Sequence, residues 1–443
     1  MAHPASTPVP APGTARRALL SSLAGTTVEW YEFFIYGTAA ALVFGNLFFP
    51  EFDPLVSTLL SLSTFAVAFV ARPIGGAIFG HFGDRIGRKS TLVITLTMMG
   101  GGTFLIGVLP TYDQIGVWAP IALVVLRLIQ GLSLGGEYSG AVLMSVEHAG
   151  RGRRGLFGAI VNTGSSWGLL VANVVFLVTS GLMPDAAFAA WGWRIPFLLS
   201  AILVALGLFI RLKVQESPEF DALRTAGEVR RTPLSEVLRG HLRPVLLMAL
   251  SYVSAGATFY LAAVFSLGYG EQLGVSRNTM LTLVLLGTLL TVAGMPFFGW
   301  LSDRHDRKRI FLIGTAVMMI SPFAWFLMLN TRVPLIMLGG FIVFFLPFCA
   351  NYGTMPTFFA QVFPASIRYS GMAIGYTLGT VLGSATAPLI ATYLLGVTGT
   401  WLSIAAYMVV AGLISFVAAL FLVVDRSSVE QYAGGTKLVA DSP

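Results

Sequence analysis

Long apolar runs, separated by short charged gaps, set the pattern of this chain. Twelve such runs fall at 18–48, 56–80, 91–110, 117–146, 155–182, 194–213, 243–268, 279–301, 309–329, 333–358, 368–396 and 400–424. Each is long enough to cross a hydrocarbon layer of about 30 Å as an α-helix. The expected fold is an all-α membrane protein with twelve transmembrane helices. Pro73, Pro196, Pro296, Pro347, Pro356 and Pro388 lie inside the runs. Membrane helices tolerate this because neighbouring helices re-satisfy the freed backbone groups. The longest gap, 214–242, divides six runs from six. The expected organisation is a disordered tail at 1–15, a six-helix bundle at 16–213, a linker at 214–242 with a short amphipathic helix near Pro233–Leu238, a second bundle at 243–424 and a tail at 425–443.

Composition supports a lipid environment. Charged residues make up 11% of the chain and hydrophobic ones 56%, against about 25% charged in soluble domains. The net charge of +7 does not point to nucleic acid, because the basic residues lie in the gaps and are not interleaved with aromatics. Of 27 Lys and Arg, 22 fall in the tails and alternate gaps that include the linker, and three (Arg194, Arg277, Arg332) in the other gaps. That bias predicts both termini in the cytoplasm. The single cysteine, Cys349, sits in an apolar run and reads as a small core residue. The five histidines are scattered, so no metal, no cofactor and no catalytic constellation is expected; the chain does not read as an enzyme.

One charged gap recurs. Gly80-His-Phe-Gly-Asp84-Arg85-Ile-Gly87-Arg88-Lys returns as Gly299-Trp-Leu-Ser-Asp303-Arg304-His-Asp306-Arg-Lys-Arg309, 219 residues later. A repeat at half-chain spacing implies two homologous halves.

Five ionisable residues lie deep in the first half: Glu29, Glu32, Arg72, Arg127 and Glu137. Such charges are costly in a membrane and normally face a partner or a polar path. The second half offers neutral groups instead: Tyr252, Tyr260, Asn351, Tyr352 and Tyr376. Glu29, Glu32 and Tyr36 share a face of helix 1, and Arg127, Gln130, Leu134 and Glu137 share a face of helix 4. Depth along the helices pairs Glu32 with Arg127, and Arg72 with Glu29 or Glu137. Three carboxylates face two arginines that stay charged, which leaves one carboxylate to carry a proton. An anion could then take the arginine that protonation releases. The alternative is a static set of ion pairs that ties helices 1, 2 and 4 together.

The twelve-run plan and the paired Gly-x-x-x-Asp-Arg gaps resemble the major facilitator superfamily. Gly25-Thr-Thr-Val-Glu-Trp-Tyr-Glu-Phe-Phe-Ile-Tyr-Gly37, Arg127-Leu-Ile-Gln-Gly-Leu-Ser-Leu-Gly-Gly-Glu137 and Gln215-Glu-Ser-Pro-Glu-Phe220 are similar to its metabolite–proton symporter family. The resemblance implies alternating access between two six-helix bundles in a bacterial cytoplasmic membrane, by a monomer, with a small molecule and protons as partners. Proton coupling would map onto Glu32 and Arg127, with Glu29 and Glu137 beside them. The substrate path would be lined by Arg127, Arg72, Tyr36, Gln130, Asn162, Trp167, Tyr252, Tyr260, Asn351, Tyr352 and Tyr376. The gating contacts would map onto Gly80, Asp84, Arg85, Gly87, Arg88, Glu147 and Arg154, and onto Asp303, Arg304 and Arg368. Three departures from the family pattern are Glu32 where Asp is common, Asp306 for the second glycine of the gap, and Gln361 for Glu. A weaker gate on the Asp303 side is therefore expected. The expected activity is proton-coupled import of a small organic acid, shikimate-like or another carboxylate. A proline/betaine-type osmolyte symporter and a polyspecific drug/proton antiporter are the alternatives.

Overall fold

The computed structural model describes residues 12–86, 88–135, 137–149, 152–212, 237, 239–364 and 367–425. No strand occurs among them. Helix α1 runs Pro12–Ala39, passes a π turn at Ala40–Phe44 and ends in Gly45–Phe48. Then come α2 (Pro54–Ile86), α3 (Arg88–Val108) and a two-piece α4 (Trp118–Ser133 and Glu137–His148). α5 is Arg154–Leu182 and α6 is Ile195–Leu212. In the second half, α7 is Leu242–Tyr260, followed by a π turn at Leu261–Phe265 and by Ser266–Gln272. α8 (Arg277–Ser302), α9 (Arg307–Leu329) and α10 (Pro334–Ala360) follow. α11 is Arg368–Thr380 with a π turn at Val381–Ala385 and a second piece at Ala387–Thr398; α12 is Leu402–Phe421. Among the described residues, eleven helical spans are long and apolar enough to cross a membrane, and Val93–Val108 of α3 is a shorter twelfth. The linker expected at 214–242 lies almost wholly outside the described residues, as do most of both tails.

Two expectations about the repeated gap change. The stretch from Gly80 to Lys89, read as a loop, is helical up to Ile86 and again from Arg88. Polar residues there mark where the apolar stretch stops, and nothing in Gly80–Ile86 breaks a helix. In the second copy α8 ends at Ser302, and the Asp306 side chain caps α9 by accepting the Arg309 N–H at 2.9 Å. The residue that departs from the family's glycine is thus a helix start signal. The two halves also share a backbone irregularity: the π turns of α1 and α7 begin at Ala40 and Leu261, close to the spacing of the repeated gap.

Apolar residues at helical spacing turn outward. Ile313, Ile320 and Leu327 of α9 are 64%, 70% and 60% exposed, a stripe suited to lipid. Inside, glycine permits direct backbone contact. A Cβ on Gly75 of α2 would stand 1.9 Å from the Leu132 carbonyl oxygen of α4, and one on Gly131 of α4 would stand 2.2 Å from that of Ala68. This crossing brings Arg72 and Arg127 to one level. Helix α5 packs on α1 in its own half and on α8 and α10 across the halves, with Gly155 against Gly299 at one end. Cys349 is buried and unpaired.

Candidate functional site

The charged cluster of the first half is buried, and its bonding differs from the expected pairing. Glu32 and Arg127 do not form an ion pair. The Arg127 guanidinium donates to Gln130 Oε1 at 2.8 Å and to the Phe65 carbonyl at 3.1 Å. Gln130 Nε2 donates to Thr103 Oγ1 at 2.6 Å, and Thr103 Oγ1 reaches Glu32 Oε2 at 3.1 Å. The carboxylate and the guanidinium are joined through two neutral side chains from α4 and α3. The other Glu32 oxygen has no hydrogen-bond partner.

Thr103 was not found from sequence, where it is one threonine in an apolar run. The signal that could have found it is the Gly100-Gly101-Gly102 run before it. A Cβ on Gly102 would lie 3.1 Å from the Gln130 side chain, so small residues bring α3 onto α4 at this point.

Arg127 also lies over the Tyr36 ring at 3.9 Å and the Phe33 ring at 4.7 Å, while the Tyr36 hydroxyl meets Thr64. Arg72 lies over Phe33 at 4.4 Å, Phe69 at 4.8 Å and Trp30 at 5.6 Å. The two guanidiniums therefore share the Phe33 ring, whose π cloud stabilises each cation by about 2 kcal/mol when desolvated. Arg72 Nε and Nη2 are buried without a hydrogen-bond acceptor. Glu29 and Glu137 are also buried. α4 is interrupted between Ser133 and Glu137, which opens the second piece, so the ten-residue spacing no longer places Glu137 on the Arg127 face.

The second half supplies phenols. Tyr352 and Tyr376 bring their hydroxyls to 3.4 Å, and Tyr252 reaches Ser384 at 3.3 Å. Tyr138 of α4 stacks on Tyr376 across the halves with centroids 3.8 Å apart. Its hydroxyl donates to Asn162 Oδ1 at 2.9 Å, and Asn162 Nδ2 donates to the Tyr352 carbonyl at 2.8 Å. Asn162 is thus a cross-half clasp, and Tyr138 is a member that spacing did not reveal. Tyr260 enters the aromatic wall of the first half, with ring centroids 5.5 Å from Phe65 and Phe69 and 5.6 Å from Phe34.

Two expected path residues lie elsewhere. Trp167 is 37% exposed on the same outward face of α5 as Val174 and Val178, because positions seven and eleven apart return to one side. Asn351 donates to Thr315 Oγ1 of α9 at 2.8 Å, so its amide turns toward an outer helix.

At the end carrying the charged gaps, Asp303 crosses between halves. Its carboxylate accepts the N–H groups of Gly155 at 2.7 Å and Leu156 at 3.0 Å, in the first turn of α5, and pairs with Arg307 at 3.3 Å. The expectation of a weak gate on this side does not fit that geometry. Arg304 takes no part; it lies over its own helix's Trp300 at 4.0 Å. Arg368 is buried, with Nε donating to the Phe363 carbonyl at 3.3 Å, and Arg154 opens α5. Gly80, Asp84 and Arg85 lie in the last turns of α2, Arg88 opens α3, and Glu147 lies in the second piece of α4. The side chains of these five and the whole of Gly87 lie outside what is described. At the opposite end Ser180 of α5 donates to Asn278 of α8 at 2.7 Å. In between, Thr291 of α8 donates to Ser166 of α5 at the same distance.

Known proteins agree with this architecture. The sequence profile of the Major Facilitator Superfamily matches residues 18–377 and 248–440. The shikimate transporter of Escherichia coli strain K12 is 40% identical over 418 residues, covering 92% of this chain and 94% of that protein. An inner membrane metabolite transport protein of the same strain is 38% identical over 398 residues, with 87% and 90% covered. Among solved structures, a D-xylose–proton symporter superposes with a TM-score of 0.71 at 19% identity, over 92% of this chain and 97% of that one.

Proposed function

The chain belongs to the major facilitator superfamily, and on that premise we propose that it is a proton-coupled symporter that imports a small organic carboxylate. Metabolite transport across a membrane is common ground with its relatives; the proton and the acid are our own inference. The observation that carries it is the buried chain Arg127–Gln130–Thr103–Glu32.

The chain has a direction that depends on one proton. With Glu32 ionised, the Thr103 hydroxyl donates to it and accepts from Gln130. With Glu32 protonated, the new O–H becomes a donor. When that proton sits on Oε2, the Thr103 hydroxyl accepts from it and turns its own proton to the Met99 carbonyl, which stands 3.0 Å away. Proton uptake at Glu32 is thereby felt at Gln130 and at the Arg127 guanidinium that Gln130 holds. A substrate carboxylate compensates the excess positive charge of the site, which favours binding of proton and anion together.

Asp303 ties the start of α5 to α8 where the gate is expected, and Asn162 on Tyr352 ties the halves further along α5. We assign the charged end to the cytoplasm, with both termini there, from the 22 to 3 bias of basic residues. We also assign the protein to a bacterial cytoplasmic membrane as a monomer, with Gly80, Asp84, Arg85, Gly87, Arg88 and Glu147 as the counterpart of the Asp303 contact. The domain limits proposed from sequence stand on the same footing.

The test is uptake by proteoliposomes under an imposed pH gradient, with labelled shikimate, 2-oxoglutarate, citrate, proline, betaine and protocatechuate. Accumulation of one of the acids, collapsing with a protonophore, is expected. Accumulation of betaine or proline alone would replace the carboxylate by a zwitterion. Gradient-driven efflux of hydrophobic drugs without uptake of any of the six would overturn the reading.

A further inference from the structure

Helix α5 meets α8 along a face on which Ser166, Asn173 and Ser180 recur every seven residues, a spacing that returns to one side of a helix. Ser166 accepts from Thr291 at 2.7 Å, and Ser180 donates to Asn278 at 2.7 Å. Asn173 lies midway between them and is fully buried. Neither its Oδ1 nor its Nδ2 has a hydrogen-bond partner among the described residues. A side-chain amide offers donors and acceptors on both atoms, and buried ones are normally paired. The cause lies in α8. The two helices run antiparallel, and stepping between the two contacts brings Asn173 level with Val284. Val284 lies seven residues from Thr291 on the same face and is apolar. The hydroxyl one turn away, that of Thr288, donates to the Val284 carbonyl of its own helix at 2.7 Å.

We propose that Asn173 is a built-in spring: its unpaired amide disfavours the state in which the outer ends of α5 and α8 are closed, and so sets how often the outer side opens. Asn173 lies on the outer side of the Ser166–Thr291 contact. When the outer ends part about that contact, Asn173 enters the widening gap and water satisfies its amide. When the charged end parts instead, Asn173 stays packed on α8. The cost of the unpaired amide therefore falls on the closed and inward-open states and is lifted in the outward-open one. The Asp303 clasp works in the opposite sense at the other end, where the carboxylate has two backbone N–H donors and a guanidinium that favour closure. The same seam is thus held firmly inside and loosely outside. An empty protein biased in this way presents its outer side, which is the side that must receive a substrate for import. The inference rests on the chain being a membrane transporter, and on neither the acid nor the proton.

The experiment measures alkylation by N-ethylmaleimide of two single-cysteine reporters in the full-length protein in nanodiscs, without substrate. Both are built on Cys349→Ser. Leu281→Cys places a thiol at a buried position about one turn outside Val284, and Ser302→Cys places one at a buried position at the charged end. Asn173→Leu keeps nearly the same shape without the amide, and Asn173→Ala removes the amide without adding bulk. Each should slow the outer reporter by about 5- to 150-fold, the range for one buried polar group relieved of its unpaired state. Neither should slow the inner reporter. That pairing separates a shift between states from a general change in stability, which moves both rates in the same direction. An outer rate that is unchanged or faster in both variants, or inner and outer rates slowed in parallel, overturns the inference and leaves transport standing. A parent protein in which neither reporter reacts before unfolding removes the transport reading with it.

Discussion

Replacing Asp303 by asparagine tests the contact that holds α5 against α8. The carboxylate accepts two backbone N–H groups across the halves and one guanidinium. Its side chain is 2% exposed and that of Arg307 14%, so solvent screens the contact little. Asparagine keeps one acceptor oxygen and sets an N–H against the second backbone N–H. It also removes a negative charge from the first turn of α5, where the helix dipole favours one. Losing one charge-assisted bond costs about 1.5–3 kcal/mol, and the dipole adds about 1 kcal/mol. The total of about 2.5–4 kcal/mol applies only while α5 and α8 are closed, so the closed-to-open ratio falls by about 60- to 700-fold. The assay uses the one cysteine to advantage. Cys349→Ser gives a cysteine-free background, and Ser302→Cys places a thiol at a buried position beside Gly155. Alkylation by membrane-permeant N-ethylmaleimide should accelerate strongly in Asp303→Asn and stay unchanged in Arg304→Ala, whose guanidinium rests on Trp300. Equal rates in Asp303→Asn and its parent, with both proteins folded, would refute the clasp.

Other perturbations address separate parts of the account. Thr103→Val removes the hydroxyl between Glu32 and Gln130; gradient-driven accumulation should fall at least tenfold while substrate exchange between equal pH values persists, and equal losses in both would deny Thr103 a coupling role. Arg127→Lys should fail in uptake, because an ammonium cannot hold Gln130 and the Phe65 carbonyl in the geometry of the fork; wild-type uptake would contradict that. Gly135→Ala would bring a methyl to 1.9 Å from the Gly76 nitrogen, so the midpoint of thermal unfolding in detergent should drop by several degrees. Trp167→Ala should leave uptake within a factor of two, since the ring faces outward; a large change in KM would return Trp167 to the path.

Much of the architecture was legible in the chain. Run length and the gaps gave the spans, and the rarity of charge in them singled out Glu32, Arg72 and Arg127. Helical spacing relates side chains of one helix but not the rotation of one helix against another. That is why Arg127 and Gln130, three apart, do share a face and bond, while Glu32 and Arg127, on different helices, are joined only through Gln130 and Thr103. The same limit explains Asn351, which sits on a central helix yet bonds to Thr315 of α9. Trp167 is a different case: its outward stripe with Val174 and Val178 follows from seven- and eleven-residue spacing, which was readable in the chain. The helical character of Gly80–Ile86 was hidden because charge marks the membrane boundary and not the end of a helix.

The central claim is that the acid and the proton move together, and one measurement addresses it directly. In lightly buffered proteoliposomes without an imposed gradient, adding the transported acid outside should alkalinise the external medium. Glu32→Gln should abolish that pH change while still exchanging labelled for unlabelled acid. Uptake of the acid with no external alkalinisation, or an undiminished pH change in Glu32→Gln, would contradict the account.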